Sequence, residues 1–249
     1  MESASPSPKS GASKRWMLAL IVLAVVAGGI FAVLTVIKLR DPKRLKLALA
    51  RHQMAQITAA IYTYQAGYGE NRFPMSTNAA SAGVPDFVFG TFNTGAAVEI
   101  LNAGDGYQAN NAEVIAILMA ATTYPNGEPT PNADHALNPD RVKLITPLMA
   151  PDARSPGLGT DGVFRDPWGN PFIIAFDVGG DWVTESCFKG VDRPPVLPPS
   201  SVTGEIMQHS DHFCAQTRWL IWSFGPDGQA DPALKVHEGV NADNLYSWR

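Results

Sequence analysis

The chain has 249 residues, of which 45% are hydrophobic, and a formal net charge of -4 at pH 7. This length permits one or two domains with a substantial core. The acidic balance argues against a nucleic-acid partner, and the 20 prolines and 22 glycines predict long loops.

The first 37 residues divide into a polar tail and an apolar segment. Residues 1–15, MESASPSPKSGASKR, have the composition of a disordered tail. Residues 16–37, WMLALIVLAVVAGGIFAVLTVI, carry no charge, and a helix of about 22 residues is roughly 33 Å long, enough to cross a bilayer core. A cleaved signal peptide or a buried core helix is the alternative, but a signal peptide has a shorter apolar region that ends at small residues. We therefore predict a retained transmembrane helix at 16–37.

The orientation of this helix depends on two opposing features. Basic residues are more numerous after the apolar segment than before it, so the positive-inside count alone favours a cytoplasmic C-terminal side. The short tail and the only two cysteines, Cys187 and Cys214, favour the reverse, because a disulfide forms in an oxidising compartment. Such a bridge would close a loop of about 28 residues and contribute roughly 3 to 4 kcal/mol; two buried free thiols are the alternative. We predict an N-terminus inside and an exported C-terminal domain.

A second, amphipathic helix is predicted at 38–70, continuing the membrane helix. Asp41 and Pro42 have the residue types of an N-cap and a first helical position, or of a kink in one long helix. The helix should end near Gly67 or Gly69. Its apolar residues recur at spacings of three and four, which predicts one apolar face: Ala50, Met54, Ile57, Ile61, Tyr64 and Tyr68. We expect this to be the assembly helix, with Met54, Ile57, Ile61 and Tyr64 as its candidate residues.

The rest of the chain predicts an irregular middle and a C-terminal sheet. Residues 71–160 show one short helix, in NNAEVIAILMAATTY, which Asn110 or Asn111 opens. The following RVKLITPLMAP could be a strand or a helix. In contrast, PFIIAFD and TRWLIWSFG are apolar, aromatic and β-branched between turn residues, which indicates strands. Together these elements indicate an α+β fold, with a long N-terminal helix packed on a small antiparallel C-terminal sheet.

Two motifs in 161–249 resemble those of a known family. DGVFRDPWGNPFIIAFD is followed by IWSFGPDGQAD and GVNADNLYSW, and this order resembles the pseudopilins of type II secretion, in particular the major pseudopilins. A basic tail, one apolar helix and an amphipathic extension are similar to the same pilin-like family. The resemblance implies a pilin-like fold and a subunit of a secretion apparatus in the bacterial inner membrane, with a periplasmic C-terminal domain.

The N-terminus departs from that family pattern. Pilin-like precursors have a glycine before the cleavage site and an acidic residue five positions into the mature helix. Here SKRWMLALIVL has no adjoining glycine, and 16–37 contains no acidic residue. The departure implies that this chain assembles differently, or remains an anchored accessory protein.

The loop after the last predicted strand carries candidate cation ligands. SFGPDGQADPALKVHEGVNADN contains Asp227, Asp231, Asn241 and Asp243, and Ca²⁺ takes six to eight oxygen ligands of this kind. The spacing does not match an EF-hand, so the residues alone also allow a solvated loop with Asx turns. The resemblance implies a calcium site, because major pseudopilins bind calcium in the matching segment. By motif, Asp227 and Asp243 are the main ligands and Asn241 and Asp231 the weaker ones.

The sequence predicts a structural role and no enzyme. It contains no G-x-S-x-G or P-loop motif. The resemblance implies helix-mediated assembly into a homo-oligomer or fibre, with other pseudopilin-like subunits, inner-membrane secretion components and membrane lipid as partners. The alternative is a membrane-tethered periplasmic binding protein whose 71–160 segment recognises a ligand or an envelope partner.

Overall fold

The computed structural model describes residues 41–76, 80, 86–90, 107–180, 184–189, 212–215 and 217–247; for 107–108, 185–189 and 212–215 it describes the backbone only. The predicted tail at 1–15 and the predicted membrane segment at 16–37 lie outside these ranges. Within them, no helix is both long and apolar enough to cross a bilayer.

Helix α1 (Pro42–Tyr68) lies within the predicted 38–70; it follows Asp41 and ends one residue before Gly69. The Asp41 carboxylate accepts the N–H of Lys43 at 3.0 Å, as an N-cap does. Gly69 follows the helix with a φ of 112°, which a residue with a side chain rarely adopts. The predicted cap and the predicted end are both confirmed.

The predicted apolar face of α1 is buried in the core of its own domain. Met54, Ile57, Ile61 and Tyr64 are buried in one cluster with phenylalanines of the sheet, and Tyr68 packs half-buried at its edge. Burying an isoleucine or methionine of this kind contributes roughly 1.5 to 3 kcal/mol. The side chains of these four residues are therefore occupied within the chain, and assembly through this helix stays a prediction.

The main sheet has five strands among the described residues: β1 (Asp86–Phe89), β2 (Tyr107–Ala109), β5 (Ile173–Asp177), β8 (Trp219–Ser223) and β9 (Leu245–Tyr246). Their order in the sheet is β2-β1-β5-β8-β9. Strands β1 and β2 pair in parallel, and the other neighbours pair antiparallel. The α+β class is thus confirmed for the described residues, and PFIIAFD and TRWLIWSFG form the central strands.

Both faces of this sheet are covered, which explains why its central strands are apolar at almost every position. Ile174, Phe176 and Ile221 belong to the core cluster that contains α1. Their neighbours Ile173, Leu220 and Trp222 belong to a second cluster with Ala230 and Val236 of the C-terminal loop. Since successive side chains of a strand point to opposite faces, the sheet lies between α1 on one side and the 224–244 loop on the other.

The 71–160 segment contributes more regular structure than its sequence predicts. It supplies β1, β2 and helix α2 (Ala112–Leu118), of which only the helix was expected. Asn111 precedes α2 and is fully buried; its amide joins the helix to the backbone of Phe164 and Phe172 at 2.8 to 2.9 Å. RVKLITPLMAP is neither helix nor strand, and it is held by isolated hydrogen bonds such as Leu144 N–H to Leu118 O at 2.8 Å.

Two short strand pairs complete the described structure. Strands β3 (Gly157–Leu158) and β4 (Phe164–Arg165) pair antiparallel and precede β5 in the chain. Strands β6 (Thr184–Lys189) and β7 (His212–Ala215) pair antiparallel between β5 and β8. Short 3₁₀ helices lie at Ala133–His135 and Gly239–Asp243.

Candidate functional site

The turn RDPWGNP enters β5 and is organised by one buried carboxylate. Asp166 is fully buried, and its Oδ1 accepts the N–H groups of Trp168 at 2.8 Å and Asn170 at 3.0 Å. The backbone N–H of Asp166 donates to Asn170 O at 2.8 Å, and Gly169 has a φ of 97°. Glycine tolerates this conformation without steric cost. The motif RDPWGNP therefore forms a turn that hydrogen bonds between Asp166 and Asn170 close.

The same carboxylate connects this turn to the loop that follows β8. Ser223 donates its hydroxyl to Asp166 Oδ2 at 2.5 Å and accepts the N–H of Gly225 at 3.1 Å. Asn170 donates its side-chain amide to Gly225 O at 3.2 Å. The two motifs that carried the sequence resemblance are therefore one hydrogen-bonded unit at one end of β5 and β8.

The ionisation of Asp166 gives the protein an unusual pH dependence. Burial raises the pKa of Asp166 to about 6, although hydrogen bonds from Ser223, Trp168 and Asn170 favour the charged form. Between about pH 4 and pH 6 the folded state binds this proton more tightly than the unfolded state, so this group contributes more stability as the pH falls through that window.

We expect Asp166→Asn to remove this contribution, because an amide keeps the acceptor for Trp168 and a donor for Ser223. The free energy of unfolding of the wild-type protein, minus that of Asp166→Asn, should rise by on the order of 2 to 3 kcal/mol from pH 7 to pH 4. Urea unfolding followed by tryptophan fluorescence at both pH values measures the difference. A difference independent of pH would show that Asp166 titrates as an ordinary surface acid.

The structure places Asp227 and Asp243 beside each other, as the motif predicts. Burial raises the pKa of Asp243, and the negative charge of the neighbouring Asp227 raises it further. Asp227 is exposed, and its Oδ1 accepts the N–H of Gln229 at 2.9 Å. Gly225 lies against the carbonyl oxygen of Asp243, which brings the two ends of the loop together. Two carboxylates that repel each other at a loop closure are a chemically suitable pair for a divalent cation.

The other two predicted ligands have a different role in the structure. Asn241 is fully buried; its Oδ1 accepts the N–H of Asp231 at 2.8 Å, and its Nδ2 donates to Asp231 O at 2.8 Å and Lys235 O at 3.0 Å. Asp231 Oδ1 accepts the N–H of Ala233 at 2.8 Å. Asn241 therefore stabilises the loop by bonding the loop's backbone. Because its side-chain amide is used in this way, Asn241 does not fit the role of a cation ligand.

The donor set available to a cation is limited to a carboxylate pair and nearby carbonyls. Over the described ranges, no three His, Cys, Asp or Glu side chains are close enough together to hold a metal ion. Calcium accepts main-chain carbonyls and water as well as carboxylates, so Asp227 and Asp243 fit that ion better than they fit zinc, whose sites use Cys, His and carboxylate side chains.

The two cysteines lie on paired strands. Cys187 belongs to β6 and Cys214 to β7, and the Cα partner of Cys214 is Glu185, two residues before Cys187. The described structure gives the backbone alone at both cysteines, so the disulfide stays a prediction.

Sequence reasoning missed the residues that hold this unit together. Asp166 and Asn170 belong to the first of the two motifs, but nothing in their spacing shows that this segment bonds to Ser223 and Gly225. The presence of both motifs in one chain was the only sequence feature that could have indicated their contact. Comparison of the chain with protein-family models, with curated proteins and with solved structures found no match.

Proposed function

We propose that this chain is a membrane-anchored, pseudopilin-like structural subunit that assembles through its N-terminal helix and acts in protein secretion. The domain of residues 46–249 serves as the exported part of the subunit, and the apolar segment at 16–37 is its anchor in the inner membrane. The N-terminus lies in the cytoplasm. The chain acts by assembling with other subunits, and no covalent bond is made or broken.

The observation that carries this proposal is a second face of α1 that is exposed. Residues 48, 52, 55, 59, 62 and 66 recur at alternating spacings of four and three, and all six are exposed. This is the spacing by which two helices pack side by side. Tyr62 is 68% exposed and Leu49, next to the row, is 45% exposed. We call this row the α1 seam: Ala48, His52, Ala55, Ala59, Tyr62 and Ala66.

The composition of the α1 seam suits close contact between copies. Four of its six residues are alanine, so a second helix can approach its backbone without displacing large side chains. The opposite face of α1 is committed to the core through Ile57 and Ile61. One helix thus has a face for its own domain and a face for a neighbour, as an assembling subunit requires.

Crosslinking in membranes tests the proposal. Copies that each carry one cysteine at one of the six positions of the α1 seam, expressed singly and in mixed pairs, are expected to form disulfide-linked dimers on oxidation. The controls are Lys143→Cys, which places a cysteine at an exposed position outside the α1 seam, and the wild-type chain with Cys187 and Cys214. Monomers alone at every seam position and in every mixed pair, with secretion intact after deletion of the protein, would contradict the proposal.

Calcium at Asp227 and Asp243 is part of the same proposal. An ion there would neutralise their repulsion and hold the 224–244 loop against the sheet, which buries Trp222 and Phe224. The resemblance to major pseudopilins and the observed pairing of the two carboxylates support it.

Added calcium is expected to raise the midpoint of thermal unfolding relative to chelator, because a ligand that binds only the folded state stabilises it. At a hundredfold excess over Kd the gain is about 2.7 kcal/mol. Asp227→Ala should abolish the shift, whereas Asp231→Ala, which removes a carboxylate outside the pair, should preserve it. An equal shift in wild type and Asp227→Ala would place the ion elsewhere.

A second candidate function, partner binding by the 71–160 segment, is favoured by one observation. A pocket of about 270 Å³ opens there, with Ala116, Met119 and Tyr124 among its lining residues. Beside it, Leu148 is 81% exposed and Met149 59% exposed. Polar substitution of both residues, Leu148→Ser with Met149→Ser, should abolish function and leave seam crosslinks unchanged if binding is the main role. Loss of crosslinks with function would favour assembly instead.

A further inference from the structure

A pocket of about 540 Å³ lies where the C-terminal end of α1 meets the start of β8. Two aromatic residues, Tyr62 and Trp219, line it, and Glu70 contributes an exposed carboxylate. Arg218 also lines the pocket, and Asp177 Oδ2 at 2.8 Å from its Nε balances its charge. Aromatic faces and a carboxylate together attract an organic cation, through the ring quadrupole and through direct charge. The chemistry of the pocket therefore fits the guanidinium or ammonium group of a basic side chain.

The pocket opens on the face of α1 that the α1 seam occupies. Tyr62 and Ala66 belong to both the seam and the pocket lining. A second copy packed along the seam would therefore pass directly over the pocket.

The charges of α1 are arranged for such a contact. All four of its basic residues apart from histidine lie at 43–51, and the helix contains no acidic residue. Arg51 is exposed beside His52 of the seam. Glu70, just past the end of the helix, has the opposite charge. A helix that is basic at one end and has an acidic, aromatic pocket at the other is complementary to a parallel, shifted copy of itself.

The seam fixes how large that shift can be. Two identical seams remain in register only when one helix moves by whole heptads. A shift of two heptads, about 21 Å at 1.5 Å per residue, brings Arg51 of one copy level with residue 65 of the next. Gln65 and Ala66 line the pocket.

We propose that Arg51 of one copy enters the pocket formed by Tyr62, Trp219 and Glu70 of a second copy, and that this contact sets a two-heptad stagger between neighbouring α1 helices. The inference rests on the proposed assembly through α1, and it adds the register and the ion pair that selects it.

The test uses the full chain in membranes, with two differently marked copies expressed together. One copy carries His52→Cys and the other Ala66→Cys; both positions are exposed and lie fourteen residues apart on the seam. We expect the mixed pair to crosslink well above either copy alone. Glu70→Lys in the Ala66→Cys copy should lower that yield about fivefold, because it removes the ion pair with Arg51 and places a like charge beside it.

The charge swap separates this contact from a general loss of folding. Arg51→Glu in the His52→Cys copy should restore the yield when combined with Glu70→Lys in its partner. Crosslinks that are strongest between two His52→Cys copies would overturn the two-heptad stagger and leave the proposed assembly standing. Mixed crosslinks that ignore both charge changes would overturn the role of Arg51 and Glu70. Absence of crosslinks at all seam positions would remove the proposed function itself.

Discussion

Arg218→Met is expected to destabilise the protein by about 3 to 5 kcal/mol, the usual result of leaving one member of a buried ion pair alone. Arg218 Nε lies 2.8 Å from Asp177 Oδ2, and the two side chains are 5% and 0% exposed. The same guanidinium donates to Asn71 Oδ1 at 3.0 Å and lies 5.1 Å from the ring centre of Phe73. It therefore ties β5 and β8 to the segment that follows α1.

The double variant Arg218→Met with Asp177→Asn is the matched control. Asparagine keeps an acceptor for the N–H of Gly180, which donates to Asp177 Oδ1 at 2.5 Å, and it removes the uncompensated charge. The pair of changes should therefore cost less than Arg218→Met alone, because burying an unpaired charge costs more than replacing both partners. Urea unfolding of the two variants decides this, and equal losses would show that packing of the arginine, and not charge, is what the site requires.

Gly225→Ala is expected to have the second large effect, because it forces the 224–244 loop away from the sheet. Gly225 has a φ of 70°, and a Cβ there would overlap the carbonyl oxygen of Asp243. The loop then cannot close over Trp222 and Phe224, so apolar surface of the second core cluster becomes exposed. We expect a loss of roughly 3 kcal/mol or more, from backbone strain and lost burial together.

Gly180→Ala separates these two causes. Gly180 has a φ of 79°, close to that of Gly225, but a Cβ there meets nothing within 4 Å. This variant should cost only the conformational strain, about 1 to 2 kcal/mol. Thermal unfolding of both variants gives the comparison. A Gly225→Ala variant no less stable than Gly180→Ala would mean that the loop does not need its close approach to Asp243.

Helices and strands could be predicted from the sequence where residues within the same segment determine them. The bounds of α1 follow from Asp41 and Gly69, and the central strands follow from runs whose apolar residues are buried on both faces. Strands β1 and β2 could not be predicted in this way. They are four and three residues long, and β1 exists as a strand through its pairing with β5, which lies more than eighty residues later in the chain.

The assignment of faces on α1 shows the same limit. Periodicity identified the apolar row with Met54 and Ile57, but it does not say whether such a row binds the domain itself or a second copy. The structure places that row in the core and leaves the alanine-rich row exposed. Alanines contribute little to hydrophobic periodicity. The alanine-rich row can therefore be identified as an exposed face only once the structure shows which face of α1 is buried.

The sequence predicted the carboxylate pair of the candidate site, but not the hydrogen bonds that hold the surrounding loop and turn. The motifs identified Asp227 and Asp243, which do lie together. Asn241 has the residue type of a ligand, yet its amide is used by the backbone at 231 and 235. The bond between Asp166 and Ser223 joins residues 57 positions apart, a separation at which spacing in the sequence gives no geometric information.

Assembly through the exposed face of α1 is tested most directly by crosslinking His52→Cys copies with Ala66→Cys copies in membranes, with and without Tyr62→Lys in the Ala66→Cys copy. Tyr62 is 68% exposed, so a lysine there should leave the stability of the domain unchanged while it repels Arg51 of the second copy. We predict abundant dimers for the mixed pair, their loss when Tyr62→Lys is added, and the same unfolding midpoint with and without that substitution. Equal dimer yields with and without Tyr62→Lys would contradict assembly through this face.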